Sequence, residues 1–199
     1  MNRLDATRRL LAVIADRPGT PVVASLGHPA YDLSALADRP ANFYQWGSMG
    51  LASSMGLGLA MARPDLRVYV VDGDGSLLMN LGSLATIGWT HPQNLVVIVM
   101  DNQEYATTGG QQTATAHGAD LGGAAKAMGI GQAMTVRTES ELDAALARAS
   151  ADPGPWFIVA KVEETAPIGK PPLDCVFIKQ RFMAAIGNPE TATIATPRS

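Results

Sequence analysis

Cysteine is almost absent from this chain: Cys175 is the only one. One thiol builds neither an intrachain disulfide framework nor a Cys₄ iron–sulfur cluster, which argues against a ferredoxin-linked oxidoreductase subunit. Cations are missing locally too, since no Lys or Arg lies between Arg67 and Lys126. A P-loop with its lysine is therefore excluded from that stretch, as is a basic nucleic-acid groove. Long apolar runs are also lacking. The longest weakly polar run, 47–62, is rich in glycine and serine and shorter than a bilayer span. Net charge is only −3, with no block that suggests a membrane surface or polyanion partner. Residues 1–20 carry charges throughout, so no signal peptide is expected and the expected placement is cytoplasmic. With 199 residues, 47% hydrophobic and 17% charged, we expect one globular domain over 1–187 and a loose tail at 188–199.

What the chain does have is concentrated between Asp72 and Thr113. The run Val68-Tyr69-Val70-Val71 leads into Asp72-Gly73-Asp74-Gly75-Ser76, and the run Leu95 to Met100 ends in Asp101-Asn102. Both runs are rich in β-branched residues and give way to polar ligand types. Two neighbouring parallel strands would present oxygen donors in this way at their carboxyl ends, where open α/β sheets bind ligands. Asp74 and Asn102 supply hard oxygens of the kind Mg²⁺ or Ca²⁺ accepts. Gly73 and Gly75 allow close backbone approach, and Ser76 is expected to start a helix whose free N–H groups suit a phosphate. A diphosphate bound here would need a metal ion and helix-terminal amides to balance its charge, because the local sequence offers no cation. A dinucleotide turn is disfavoured, since Leu78 stands where a third glycine belongs.

Taken in order, Asn2 to Ala15 is expected to be an amphipathic helix, with Leu4, Leu10, Leu11 and Ile14 at helical spacing. Pro21 to Leu26 predicts a short buried strand that ends at Gly27-His28-Pro29. That places His28 in a carboxyl-end loop. Asn42 to Trp46 predicts a second strand, and Gly47 to Met61 a helix so poor in large side chains that it must pack closely. Interior glycines there cost about 1 kcal/mol each. A buried helix is expected from Ser76 to about Gly88, with Asn80 on its early turns facing either diphosphate or solvent. His91 falls at the amino end of the next strand, away from chemistry. Tyr105 to Thr113 predicts a polar loop, with Thr107, Thr108 and Gln111 facing ligand or solvent. His117 follows, as an acid–base candidate near neutrality or simply an exposed residue. Beyond Asp120 the chain is expected to be scaffold: helix 121–128, strand 133–136, a capped helix from Thr138 to about Ser150, strand 156–162, an extended 167–172 and a terminal helix 178–186.

Gly73-Asp74-Gly75, a spacer in the mid-twenties and then Asn102 resembles the thiamine diphosphate (ThDP) binding motif. NFYQWGSMGLASSMGLGLAMARP, VDGDGSLLMNLGSLATIG and DNQEYATTGGQQT together resemble the cofactor domain of the ThDP-dependent sulfopyruvate and phosphonopyruvate decarboxylases. The similarity runs from Asn42 to Thr113 and more loosely from Leu4 to Ala184. It implies a doubly wound, mainly parallel α/β sheet with helices on both faces, the ThDP-binding fold of PP type. It also implies Mg²⁺ held by Asp74, the Asn102 side chain and the Glu104 carbonyl. By the same resemblance the Gly27-His28 junction reaches the phosphates, and the Gly47 carbonyl, with Ser48 beside it, meets the aminopyrimidine. Met49 supports the bent cofactor, and Tyr105, Ala106 and Thr107 close over the diphosphate. His28, Met49 and His117 are thus the catalytic candidates.

ThDP chemistry in such enzymes needs a glutamate at the pyrimidine, supplied by a second domain of the same fold. None of Glu104, Glu139, Glu141, Glu163, Glu164 and Glu190 belongs to such a domain, so a separate pyrimidine-binding, α-type subunit is expected to supply it. The expected substrate is a small 2-oxo acid. Relatives carry a basic residue where this chain has Ala30-Tyr31-Asp32-Leu33, which points to a less charged substrate tail. A carboligase of acetolactate-synthase type and a non-catalytic ThDP-binding regulatory subunit are the alternatives.

Overall fold

Apolar, β-branched runs become the strands of one parallel sheet in the computed structural model, which describes residues 1–187. The tail expected at 188–199 lies outside the described residues. Helix α1 (Arg3–Val13) precedes β1 (Val22–Ala24), α2 (His28–Leu36), β2 (Asn42–Tyr44), α3 (Ala52–Ala62) and β3 (Val68–Gly73). Then come α4 (Asp74–Leu78), α5 (Ser83–Thr90), β4 (Leu95–Asp101) and a small antiparallel hairpin of β5 (Glu104–Tyr105) and β6 (Gln111–Gln112). A 3₁₀ turn at Ala114–His117 leads to α6 (Leu121–Ala127), β7 (Gln132–Val136), α7 (Glu139–Ala151), β8 (Trp156–Lys161) and α8 (Cys175–Ala185). The six-stranded sheet has the order β2-β1-β3-β4-β8-β7.

Alternation along the buried strands sorts the helices onto two faces, because successive side chains point to opposite sides. Tyr69, Val71, Val96, Ile98 and Ile158 pack with Leu10 of α1, Leu33 of α2 and Leu146 of α7. Val70, Val97, Val99 and Phe157 pack on the other side with Leu57 of α3, Leu77 of α4, Ile87 of α5 and Ala125 of α6. The doubly wound architecture expected from the sequence is therefore present. The small-residue helix packs as closely as its composition requires: a Cβ on Gly56 would stand 2.1 Å from Val70 Cγ2.

After β1 the chain turns one way, to β2; after β3 it turns the other way, to β4. The crevice between the carboxyl ends of β1 and β3 is thus the topological switch point, where open α/β sheets bind ligands. Register brings the next strand tip alongside, with Gly73 opposite Met100 and Asp101 opposite Lys161.

Several local expectations are corrected. The helix expected over 76–88 is two, broken at 79–82, where Asn80 Nδ2 donates instead to Gly50 O (3.2 Å) and Ser54 Oγ (3.1 Å). Its first part starts at Asp74, so Ser76 lies inside the first turn rather than opening it. The helix expected from Gly47 begins at Ala52, because Ser48 (φ 60°) and Gly50 (φ 90°) are left-handed. His28 is not a loop residue: it opens α2, with Pro29 in the first turn. The hairpin β5–β6 orders part of the stretch expected to be loop. The capping box at Thr138 and Glu141 forms as expected.

Candidate functional site

The cleft at the switch point is built from five separate segments. After β1 come Leu26, His28 and Pro29; Met49 follows β2; Gly73, Asp74, Gly75 and Ser76 follow β3. Met100, Asn102, Glu104, Tyr105, Ala106, Thr107 and Thr108 come from the end of β4 and the hairpin. The fifth segment is the start of α1, which contributes Arg3. The expected set of Asp74, Asn102 and Glu104 thus gathers at one cleft, with eight other predicted residues around it.

The structure does not bring Gly27, Gly47, Ser48 and His117 to that lining. Gly27 caps α2 from beneath at φ 79°, and a Cβ there would meet Thr107 Cγ2 at 3.1 Å. Gly47 and Ser48 are exposed on the turn before α3, and His117 is exposed at the end of the 3₁₀ turn. His117 faces outward because Thr113 and Thr115 are the residues of that segment turned inward, onto Asp74.

Asp74 is the electrostatic centre of the cleft. It is only 1% exposed. Its Oδ2 accepts from Thr113 Oγ1 at 2.6 Å, with Thr115 Oγ1 at 3.0 Å. Thr115 Oγ1 is also 2.8 Å from Asp101 Oδ1, so its single proton serves one carboxylate at a time. Burial pushes the Asp74 carboxyl above the ordinary carboxylate range and the Asp101 charge pushes the same way, opposed by the threonine bonds. Lys161 pairs with Asp101, not with Asp74. Among the described residues no cation pairs with Asp74, and its Oδ1 has no side-chain partner.

Asn102 Oδ1 accepts from Glu104 N at 3.2 Å, which fixes the turn out of β4, and its Nδ2 donates to Glu164. Ser76 turns its hydroxyl inward, 3.0 Å from Ser25 Oγ, and accepts from Gly50 N at 3.0 Å. That ties the Gly47–Leu51 turn to the base of the cleft. Gly75 is needed for space, since a Cβ there would fall 2.4 Å from Tyr105 Cε1. A Cβ on Gly73 would meet nothing within 4 Å, so the main chain there borders open space.

A cation does reach the cleft, contrary to the charge count along the local sequence. Asn2 pairs with Glu163 beyond β8, and this bridge seats Arg3 over the site. Arg3 is 2% exposed and spends its donors on the protein. Nε reaches Asp32 Oδ2 at 2.5 Å, Nη1 reaches both Glu164 oxygens at 2.7 Å, and Nη2 reaches Thr165 O at 2.7 Å. Nη1 also lies 3.0 Å from His28 Nδ1. Burial, and then the Arg3 charge, hold the imidazole below its usual pKa. Nδ1 also lies 3.0 Å from Glu164 Oε1, so the neutral ring accepts from the guanidinium in one tautomer and donates to the carboxylate in the other.

Arg3, Asp32 and Glu164 are the residues that sequence reasoning missed. Glu164 carried a usable signal, because it follows a buried strand at its carboxyl end, as Asp74 and Asn102 do. Arg3 carried none, since its place depends on how α1 docks.

The residue types gathered there, a buried carboxylate and an amide oxygen beside main-chain carbonyls, are of the hard-oxygen kind that a divalent ion accepts. Among the described residues no three His, Cys, Asp or Glu side chains gather as a metal cluster, so no competing site for softer metals is present. The enclosed volume is about 60 Å³, well short of the roughly 300 Å³ at which small-molecule pockets begin. No helix among the described residues is long and apolar enough to cross a membrane.

Residues 30–160 match the family described as thiamine pyrophosphate enzyme, C-terminal TPP binding domain. The chain is 40% identical over 190 residues to sulfopyruvate decarboxylase subunit beta of Methanocaldococcus jannaschii, covering 92% of this chain and 96% of that one. It is 39% identical to phosphonopyruvate decarboxylase of Streptomyces viridochromogenes over 98% of its own length, but only 48% of that protein's. The solved structure of benzoylformate decarboxylase from Polynucleobacter necessarius superimposes with a TM-score of 0.63 at 20% identity. That likeness, over 81% of this chain and 34% of the other, is one of fold; the chain spans about a third of that structure's length.

Proposed function

The chain belongs to the thiamine pyrophosphate enzymes as their C-terminal TPP binding domain, and from that premise we propose that it is the Mg²⁺–ThDP-binding subunit of a two-subunit 2-oxo acid decarboxylase. The observation that carries this reading is Asp74. It is a buried carboxylate with no paired cation among the described residues, beside Asn102 and Glu104 at the switch point of the sheet.

Asp74, the Asn102 amide oxygen and the Glu104 carbonyl would hold Mg²⁺, and Gly73 and Gly75 would let the diphosphate come up against the main chain. The bound cofactor supplies the electron sink into which the carbon–carboxylate bond electrons of a 2-oxo acid pass. The chain's own residues bind and orient. Met49, Tyr105 to Thr108 and His28 line the cleft and would position the bound cofactor.

Exposed surface near the cleft supports a partner chain: Gly47 and Ser48 are exposed on the turn before α3, and the apolar side chains of Leu51 (43% exposed) and Met79 (64%) are exposed too. The activating glutamate at the pyrimidine would come from that partner. For the substrate, Lys170 Nζ lies 5.4 Å over the Tyr31 ring, itself 6.1 Å from the His28 ring. A cation from the loop after β8 thus stands over the segment that lacks one, and a 2-oxo acid with an anionic tail is the substrate class we propose over the less charged one expected from the sequence.

Co-purification with the chain encoded beside it, followed by carbon dioxide release from a panel of 2-oxo acids, tests the reading. Release should require both chains, Mg²⁺ and ThDP, and be fastest with a sulfonate- or phosphonate-bearing substrate. Full activity of the chain alone, or condensation of pyruvate with an aldehyde as the main product, would overturn it.

A further inference from the structure

We infer that Glu164 is a positioning residue for the metal site: it sets the orientation of the Asn102 amide, and Arg3, clamped by Asp32, sets Glu164. The inference rests on the ThDP reading above, which assigns the Asn102 oxygen to the ion.

An asparagine amide has two ends of similar size, and only its environment decides which one faces a ligand. Here Nδ2 donates to Glu164 Oε2. Turning the amide over would set its oxygen against a carboxylate oxygen, lone pair against lone pair. Glu164 therefore holds the nitrogen on its own side, and the Glu104 amide, 3.2 Å from Oδ1, supports the same orientation while engaging only one lone pair of that oxygen. Glu164 is fixed in turn, since both its oxygens accept from Arg3 Nη1 at 2.7 Å. Arg3 is held by Asp32, which is fully buried in α2. The chain of contacts runs from α2 through α1 to the segment after β8 and ends at the tip of β4. None of these three residues belongs to the proposed ligand set of Asp74, Asn102 and Glu104. Partners that orient metal ligands typically change metal affinity by about 10–100-fold when removed.

The test uses the full chain with its partner subunit. Bound Mn²⁺, standing in for Mg²⁺, is measured by loss of the free-ion electron paramagnetic resonance signal at fixed ThDP, and ThDP affinity by calorimetry at fixed Mg²⁺. Glu164→Ala should raise the Mn²⁺ needed for half-saturation by at least roughly tenfold. Glu164→Gln, whose carbonyl still accepts from Asn102 Nδ2, should stay within a few-fold of the parent. A residue needed only for folding would not show this rescue in ion affinity. Should Glu164→Ala fail to fold, Glu164→Asp keeps the charge for Arg3 but loses the reach to Asn102, and should weaken the ion as the alanine would. Unchanged half-saturation in the alanine or aspartate variant overturns the inference, as does a glutamine variant as weak as alanine. If the parent protein binds no ThDP in the presence of the ion, the ThDP reading itself falls, and that outcome is visible before any variant is compared.

Discussion

Asp74→Asn separates the two consequences of burying that carboxylate. The amide oxygen can still accept from Thr113 and Thr115, which lie 2.6 Å and 3.0 Å from Oδ2. What disappears is a charge at a position 1% exposed. Burial, reinforced by the Asp101 charge, raises the Asp74 pKa despite the threonine bonds, so the ionised form is a net cost to the metal-free fold. A carboxyl whose folded pKa lies above its unfolded one is unpenalised at low pH and fully penalised once pH exceeds the folded value. At pH 8 in chelator the asparagine variant should therefore be the more stable protein, on the order of 1 kcal/mol after the weaker neutral hydrogen bonds are counted. For a chain of this length that is about 2–4 °C in melting temperature. The difference should shrink as pH falls and the wild-type carboxyl takes up its proton. Mg²⁺ with ThDP at about a hundred times Kd should stabilise the wild type by about 2.7 kcal/mol and leave the variant unmoved. Scanning calorimetry reads both arms, the ligand arm with the partner subunit present and the wild-type shift as control. A variant that melts below the wild type in chelator, or still gains from Mg²⁺ and ThDP, would refute the view that this carboxylate is held ready for a cation.

Other substitutions probe neighbouring parts of the site and fold. Gly75→Ala puts a methyl 2.4 Å from Tyr105 Cε1 and must push that wall of the cleft outward; carbon dioxide release with the partner subunit should slow by about 100-fold, the cost of a misplacement of roughly 1 Å. Gly56→Ala meets Val70 Cγ2 at 2.1 Å and should destabilise by about 1–3 kcal/mol in urea unfolding. The same change made in a Val70→Ala background should cost less, because the clash is gone. His28 has a lowered pKa, from burial first and Arg3 second. Its neutral form supports stability above about pH 6.5, the unfolded value, and that support is lost as pH falls toward the folded pKa. His28→Gln should therefore flatten the stability profile between about pH 5 and 7, and an unchanged profile would contradict the neutral assignment.

The fold and the heart of the site were legible because they rest on local rules. β-Branched runs gave the central strands, and their polar ends gave Asp74 and Asn102. Segment boundaries were less legible. The helix expected from Ser76 breaks at Asn80, whose side chain bonds across to α3 and its preceding turn rather than lying along its own helix. The left-handed Ser48 delays the start of α3, a choice that only the packing of Gly50 against Ser76 enforces. His117 looked attractive as an isolated histidine in a polar segment, yet the residues of that segment that turn inward are hydroxyls. Arg3 and Asp32 stand 29 positions apart and meet only through the docking of α1 on α2. No periodicity in one chain reveals such a pair.

That pair also bears on why the proposed function calls for a metal. The absence of Lys and Arg over the whole glycine-rich region first suggested that a diphosphate here would have to be balanced by an ion. The structure removes the premise, since Arg3 lines the cleft, but the conclusion survives on different grounds. Arg3 is flanked by Asp32 and Glu164, with a main-chain carbonyl on its remaining nitrogen. With His28 neutral, the cluster's formal charge is negative, and Asp74 adds another negative charge beside it. On the proposed reading, a diphosphate entering this cleft would meet carboxylates beside two cations, Arg3 and Lys161, that are already committed to Asp32, Glu164 and Asp101. An ion that brings its own charge would turn that repulsion into attachment.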